Sequence, residues 1–286
     1  MTKSINRYLP FKKIIINYSQ SAVSHIIKNM ESDLGIKLMV RDKNGIRLTS
    51  AGEKLLPEAK SVLRHEQSFL HTAAMLSGTQ LGTVSVGSFS STSIQWMPQI
   101  IKGMKQNYPN VEIYLSHSPY HVIEQHLRDG IIDCGFISSR HMEPCDFIPL
   151  MEDEYFVVLP KGHYLETYEA IPLEALLEEN IILMKDGSTY GTAYYDTANI
   201  LDPIHPKIVQ TVEDDFVALA MVNAGLGITI LPKLILDCVV SSPVVKHFAI
   251  PRYRTLGIAA KSLEDATPLT RLFISFVQEY IKHYTL

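Results

Sequence analysis

The sequence predicts an α/β chain in three parts: a small basic head, one long helix, and a larger body of alternating strands and helices. Three observations predict it. Residues 19–56 join a helical hydrophobic period to a charged hairpin. Residues 50–77 repeat apolar side chains in alternating steps of four and three. From residue 82 onward, short apolar runs alternate with amphipathic stretches, the pattern of helices packed on the faces of a sheet.

The head opens on a helix that Ser19 or Ser21 is placed to cap. Ala22, Ile26, Met30 and Leu34 recur every four residues, with Val23 and Ile27 beside them, and form a core-facing stripe. Ser21, Ser24, His25 and Lys28 occupy the opposite face. Short hydroxyls and a cation on one face suit a DNA major groove, where they meet base edges and phosphates. The same face also suits the solvated side of an ordinary surface helix. Gly35 fits a left-handed helix end. Residues 36–40 are apolar, Asn44-Gly45 is a hairpin-turn signal, and residues 46–49 alternate like a strand. The hairpin carries Arg41, Lys43 and Arg47, so beside a basic-faced helix it reads as the wing of a winged helix-turn-helix. Ser50 and Glu53 have capping-box spacing and open the next helix.

On these residues the chain resembles the LysR-type transcriptional regulators. The resemblance is carried by Ser19-Gln20-Ser21-Ala22-Val23-Ser24, Glu31, Leu34-Gly35, Leu38, Arg41, Leu48-Thr49 and Ala51-Gly52, with the family's spacing and no gaps, and it extends more weakly to the C-terminus. It implies that Gln20, Ser21, Ser24 and His25 lie at the DNA edge of the recognition helix. Many members carry Pro where Ser21 stands and Arg where His25 stands, so the resemblance does not fix base preference. Residues 1–17 depart from the family's pattern. Pro10 interrupts them, Ile14-Ile15-Ile16 give no helical alternation, and Lys12-Lys13 stand where the family pairs small residues. The first supporting helix is expected to be missing or remade, which would leave the apolar stripe of the recognition helix exposed.

In residues 50–77, Leu55, Ala59, Val62, Glu66, Phe69, Ala73 and Leu76 form a heptad seam, flanked by Leu56, Leu63 and Leu70. Such a seam suggests two copies paired helix on helix; a single helix packed on its own body is the plainer reading. In the family this helix links head to sensor and pairs subunits. Pro57 removes one backbone bond early in it, and residues 77–82 read as a hinge. The division expected is 1–57 for the winged head, 58–80 for linker and dimerisation, and 81–286 for the effector domain.

In the body, 83–87 reads as a strand, 96–107 as a helix, 111–116 as a strand, 120–129 as a helix and 131–138 as an apolar strand. This order implies an open parallel sheet. A second α/β unit, about 155–232, holds strands at 156–159 and 181–184, a helix around 217–223 and the glycine-bearing run 224–232, and the chain closes on an amphipathic helix at 268–284. The family resemblance implies that these form two lobes similar to periplasmic binding proteins. A ligand between such lobes meets strand C-termini and helix N-termini. Residues 87–93 place Ser88, Ser90, Ser91 and Thr92 at such a turn, a cradle suited to a small anion. Ser138 ends another strand, and Lys185, Ser188 and Thr189 follow a third.

The histidines 117, 121, 126 and 141 lack metal-ligand spacing, and the acidic runs 152–154 and 213–215 read as solvated loops or helix-start charges. No cofactor or metal motif is present, and no triad has a supporting local motif, so an enzyme is disfavoured. Residues 1–66 hold 12 basic and 6 acidic side chains against 14 and 24 in the remainder, so a basic head sits on an acidic body within a chain of net charge −4. Three scattered cysteines give no disulfide framework, and nothing resembles a signal peptide or a membrane span, which points to the cytoplasm. The reading is a DNA-binding regulator that partners double-stranded promoter DNA as a homodimer or homotetramer and answers to a small-molecule effector. The alternative is a solute-binding sensor whose head no longer holds DNA.

Overall fold

The computed structural model describes residues 20–42, 45–76, 82–139, 145–184, 200–201, 203–239 and 243–284. The chain forms two compact units that meet in sequence at Phe69 and Leu70. The expectation for residues 1–17 lies outside the described residues.

The first unit holds α1 (Gln20–Leu34), β1 (Met39–Asp42), β2 (Gly45–Leu48) and most of α2 (Ser50–Leu76). Helix α1 stops as its sequence predicts. Gly35 takes φ +68°, its N–H donates to the Ser32 carbonyl, and the N–H of Ile36 donates to the Glu31 carbonyl. That crossed pair closes the helix end. Strands β1 and β2 are antiparallel, with Met39 opposite Leu48 and Asp42 opposite Gly45. Glu31 ties helix to wing: Oε1 accepts from the N–H groups of Leu38 (2.8 Å) and Met39 (3.1 Å), and Oε2 accepts from Lys37 Nζ at 2.7 Å. The Lys37 ammonium and then the Met39 and Leu38 N–H groups hold its carboxyl down at about 2.

Helix α2 is capped one residue earlier than the Ser50–Glu53 spacing suggests. Thr49 Oγ1 accepts from the Gly52 N–H at 3.0 Å, and the Thr49 carbonyl accepts from the Glu53 N–H at 2.8 Å. Thr49 also donates to the Lys37 carbonyl at 2.6 Å, so this cap is fixed to the wing's approach where a cap at Ser50 would not be. At Gly52 a side chain would collide with the Leu38 carbonyl oxygen. Ile26, Met30 and Leu34, the expected core stripe, are 49%, 50% and 52% exposed, whereas Ala22, Val23 and Ile27 are half-buried. Along α2, Leu56, Val62, Leu63, Phe69 and Leu70 are exposed.

The second unit is two lobes built on shared strands. Its elements are β3 (Gly82–Ser88), α3 (Ser90–Gln95), α4 (Met97–Asn107), β4 (Val111–His117), α5 (Tyr120–Arg128), β5 (Cys134–Ser138), β6 (Asp146–Leu159), β7 (Asn180–Met184), β8 (Lys207–Val212), α6 (Asp215–Asn223), β9 (Thr229–Pro232), α7 (Lys233–Leu236), β10 (Val244–Ala260) and α8 (Pro268–Lys282). One sheet runs β4-β3-β5-β10-β6-β9, while β7 and β8 pair in parallel and reach β9's neighbour Ile228. Strands β3, β4 and β5 are parallel, as the βαβαβ pattern requires. The sheet is mixed rather than wholly parallel, because β10 lies antiparallel between β5 and β6.

Strands β6 and β10 each serve both lobes. Their outer stretch, with Phe147 and Ile148 opposite Ala259 and Ile258, completes the first lobe. Tyr155–Leu159 with Val244–His247 forms part of the second, whose packing extends past residue 232 to Phe248. The first core centres on Trp96, Phe136 and Phe273, with Trp96 and Phe136 edge to face at 5.5 Å. Two smaller clusters fill the second lobe. Helix α5 packs tightly onto the first sheet because Gly87 and Gly135 leave room for Ile123, where a Cβ would clash. No described helix is long and apolar enough to cross a membrane.

Candidate functional site

In the first unit, α1 presents Ser21, Ser24, His25 and Lys28 on its exposed face. His25 Nδ1 lies 3.3 Å from Asn29 Nδ2 one turn on. Gln20 opens the helix. On the wing, Arg41 and Arg47 are exposed, and the register pairs Arg41 with Ile46 and Arg47 with Val40. Residues directly opposite share a face, so the two arginines project from opposite sides of the hairpin. Lys43 lies outside the described residues.

In the second unit, a cleft of about 100 Å³ opens where the lobes meet. Its first-lobe wall is Phe89, Ser90 and the turn His117-Ser118-Pro119-Tyr120. Its second-lobe wall is Tyr155, Met184, the run Glu213-Asp214-Asp215 and Ile230-Leu231-Pro232. Arg254 of β10 also lines it. Local geometry explains why these residues gather. The turns after β3 and β4 are neighbours because the strands pair in register to Ser88 opposite His117, and the Ser118 N–H donates to the Ser88 carbonyl at 3.0 Å. Asp214 caps α6, accepting from the N–H groups of Phe216 (2.9 Å) and Val217 (3.0 Å), which sets Asp215 at the helix start.

The cleft is joined to a buried ion pair. Arg254 Nη2 and Nε donate to Asp153 Oδ2 at 2.7 and 2.9 Å, and the Asp153 side chain is fully buried. Arg254 also donates to the Tyr120 hydroxyl (3.1 Å) and to Ser91 Oγ (3.2 Å), with its guanidinium 5.4 Å from the Phe89 ring centre. The second oxygen of Asp153 accepts from the Leu234 N–H of α7 at 3.0 Å. One pair on the two shared strands thus ties α3 and α5 of the first lobe to α7 of the second.

Asp215 differs from these partnered groups. Its carboxyl makes no hydrogen bond among the described residues. Burial pushes it up to about 6, the nearby Arg254 charge opposing the rise and Asp214 adding to it.

Of the effector-binding residues expected from the sequence, Ser90 lines the cleft, its Oγ 3.4 Å from His117 Nε2. The buried hydroxyls of Ser88 and Thr92 bond each other at 2.8 Å, and Thr92 donates to the Phe89 carbonyl. Ser91 is engaged by Arg254, and Ser138 is buried in β5 opposite Leu256. Lys185, Ser188 and Thr189 lie outside the described residues. The acidic run 213–215 is a helix start as read, but 152–154 is no solvated loop. It lies mid-strand in β6, and its central carboxylate is buried because Arg254 compensates it. Sequence reasoning missed Arg254, Asp153, Tyr120 and Asp215. No local signal marks the pair, because Asp153 stands between Glu152 and Glu154 and Arg254 stands two residues from Arg252.

A unit with an exposed polar helix face and a basic wing, and a second unit with a cleft between two lobes on shared strands, define a class: a DNA-binding protein with a ligand-sensing domain. Comparison with known proteins gives the family. Residues 15–53 match the bacterial regulatory helix-turn-helix protein, lysR family, and residues 77–282 match the LysR substrate binding domain. The chain belongs to the LysR family of transcriptional regulators. It is 32% identical over 271 residues to the uncharacterized HTH-type transcriptional regulator YvbU of Bacillus subtilis, covering 92% of this chain and 90% of that protein. Among solved structures it is similar to a full-length OxyR variant from Pseudomonas aeruginosa, at TM-score 0.72 and 24% identity over 94% of this chain and 90% of the other. It is also similar to full-length CbnR complexed with its target DNA, at TM-score 0.62 and 20% identity over 93% and 92%. At these identities the two structural likenesses concern the fold.

Proposed function

We propose that this regulator binds promoter DNA through α1 and the wing, as copies paired along α2, and that a small molecule in the cleft between the lobes controls it. The polar face of α1 is the observation that carries the DNA assignment. Gln20, Ser21, Ser24 and His25 take base contacts, and Lys28, Lys43 and whichever of Arg41 and Arg47 faces the duplex take phosphates. The solved complex of CbnR with its target DNA supports a DNA-binding role for a chain of this fold. The exposed apolar seam of α2 supports pairing into a homodimer, or a homotetramer of such dimers. The domain limits follow: 1–57 for the head, 58–80 for the linker and 81–286 for the effector domain.

The shared strands support lobe closure as the response. A ligand that prefers the closed cleft shifts the balance between arrangements of the paired chain. Ser90, His117, Glu213 and Asp215 are among the polar groups that line the cleft. The cleft binds rather than transforms its ligand: Ser90 and His117 are 3.4 Å apart, but no carboxylate among the described residues orients His117 as a base. The site of action is the cytoplasm, where promoter DNA lies.

A second reading, a sensor that no longer holds DNA, is favoured by one observation, the half-exposed Ile26, Met30 and Leu34 on α1. A gel shift with the gene's own upstream region separates the two. A retarded band that weakens on Lys28→Ala supports the regulator. No band at low salt, where phosphate contacts are strongest, supports the sensor.

A further inference from the structure

We propose that Arg252 seats a small monocarboxylate at the edge of the cleft between the lobes. This rests on the reading of that cleft as the effector site. The ladder places the residue. Arg252 stands opposite Tyr155, and Arg254 stands opposite Asp153. Residues directly opposite, or two apart on one strand, share a sheet face, and opposite Cβ atoms are about 5 Å apart. Tyr155 and Arg254 line the cleft, so Arg252 lies beside two of the residues that form it. The strand also fixes Arg252 in place. The register slips between His247, opposite Phe156, and Arg252. Within that irregularity the Ile171 N–H donates to the His247 carbonyl and the Ala249 N–H donates to the Ile171 carbonyl, each at 2.8 Å. Arg252 is the first paired residue after it. Bulges of this kind re-aim side chains beside functional sites.

The two arginines are not equivalent. Asp153 takes two of the N–H donors of Arg254, Ser91 and Tyr120 take one each, and the Asp153 charge balances its own. Arg252 is half-buried, and its Nε is buried with no hydrogen-bond partner among the described residues. The carboxylates that flank Asp153 on β6 cannot serve it. Glu152 and Glu154 project from the other face, where Glu152 accepts from the Thr255 hydroxyl at 2.6 Å and Glu154 meets His247 Nδ1 at 2.9 Å. A guanidinium N–H shielded from water and lacking an acceptor is costly. A carboxylate brings it two acceptor oxygens and the opposite charge, in the planar geometry that the guanidinium fork matches.

Charge and walls narrow the class further. Asp153, Arg252 and Arg254 sum to a single positive charge on this face, which a single carboxylate matches. Glu213 and Asp215 on the second-lobe wall disfavour a doubly charged phosphate. The Tyr155 ring beside Arg252, with Met184 and Ile230, gives a short apolar stem its contact.

The test uses the full chain and four probes, butyrate, butyramide, n-butylammonium and inorganic phosphate, at matched ionic strength, read by calorimetry and by thermal shift. The expected result is saturable binding of butyrate alone, weakened about tenfold or more by Arg252→Gln and less by Arg252→Lys, which keeps the charge but not the fork. Both variants should keep the urea midpoint of the unaltered protein, so that lost binding reports the seat and not the fold. A large fall of the midpoint in both would make Arg252 a structural residue and overturn the assignment. Butyramide or phosphate bound as tightly as butyrate, n-butylammonium bound in its place, binding of no probe, or butyrate affinity unmoved by Arg252→Gln each overturns it as well. Ser90→Trp, on the first-lobe wall, judges the cleft separately. If it spares butyrate binding that Arg252→Gln removes, the carboxylate seat stands and the reading of the cleft falls. If it removes butyrate binding that Arg252→Gln spares, the cleft stands and the seat at Arg252 falls.

Discussion

Arg254 Nη2 and Asp153 Oδ2 meet at 2.7 Å with both side chains buried, where the two strands shared by the lobes cross from one to the other. A buried pair of this kind adds little net stability over well-packed apolar groups, but breaking it leaves a charge stranded. Asp153→Ala is therefore expected to cost about 3–5 kcal/mol in urea unfolding. The double substitution with Arg254→Met should cost clearly less than the sum of the two single changes. Additive costs would show that the two groups do not act as a pair.

The opposite sign is expected at Asp215. Its folded value is about 6 against 3.8 for an ordinary aspartate, so the native state holds the proton more tightly. Stability from this group falls as pH rises from 3.8 through 6 and stays reduced above. Asp215→Asn should then stabilise the protein by about 1–3 kcal/mol at pH near 7.5, with the gain fading as the pH is lowered. Urea midpoints measured across that window check both the sign and the position of the change.

Glu31 provides a second pH landmark with the reverse sense. Its carboxyl is held at about 2 in the folded state, so the clamp on the wing is complete above the ordinary 4.5 and is lost only as the pH falls through 2. Glu31→Gln keeps the shape but loses the charge. The amide hydrogens of Leu38 and Met39, which Glu31 now accepts, should exchange faster in that variant while those of α8 do not change. Unaltered exchange at both positions would refute the clamp.

Gly52 is held to glycine by the Leu38 carbonyl, because the wing's approach crosses α2 at backbone distance there. Gly52→Ala should cost about 1–3 kcal/mol through overpacking, even though alanine favours a helix. The same change at Gly35, where φ is +68° and space is open, should also destabilise, but through backbone strain. Melting the two variants side by side, each with a serine counterpart, distinguishes the causes. Enlarging the side chain should worsen only the Gly52 series.

Binding to DNA should separate the two wing arginines. Each removed phosphate contact lowers the salt slope of affinity by about one. Because Arg41 and Arg47 project from opposite sides of the hairpin, only one of them can lie toward a given phosphate strand. Alanine substitution should reduce the slope for one and leave the other near wild type. Equal losses at both positions would count against that geometry.

Much of the architecture was legible because it rests on local signals. Gly35 ends α1, β1 and β2 form the expected hairpin, although Gly45 stands opposite Asp42 in the ladder and not in the turn, and β3, β4 and β5 follow their apolar runs. The shared strands were harder to read. In β10, Lys246, His247, Pro251, Arg252 and Arg254 break the apolar alternation, and in β6 the run Glu152-Asp153-Glu154 looks like a loop. Their strand identity comes from partners a hundred residues away in sequence, which no local window holds. The cleft was half legible for the same reason. The turn bearing Ser90 could be placed from its strand. The commitment of Ser91 to Arg254, and the isolation of Asp215, depend on side chains that meet only after both lobes have formed.

The position of β10 between β5 and β6 also sets an order of events during synthesis. Until Leu256–Ala260 leaves the ribosome, the first lobe has a gap in the middle of its sheet, with β5 and β6 as open edges on either side. The second lobe must be made in that interval, although its own strands also await Val244–His247. Chains halted near residue 240 should therefore expose two unpaired edges at once, and these are the lengths at which a nascent chain most needs a chaperone.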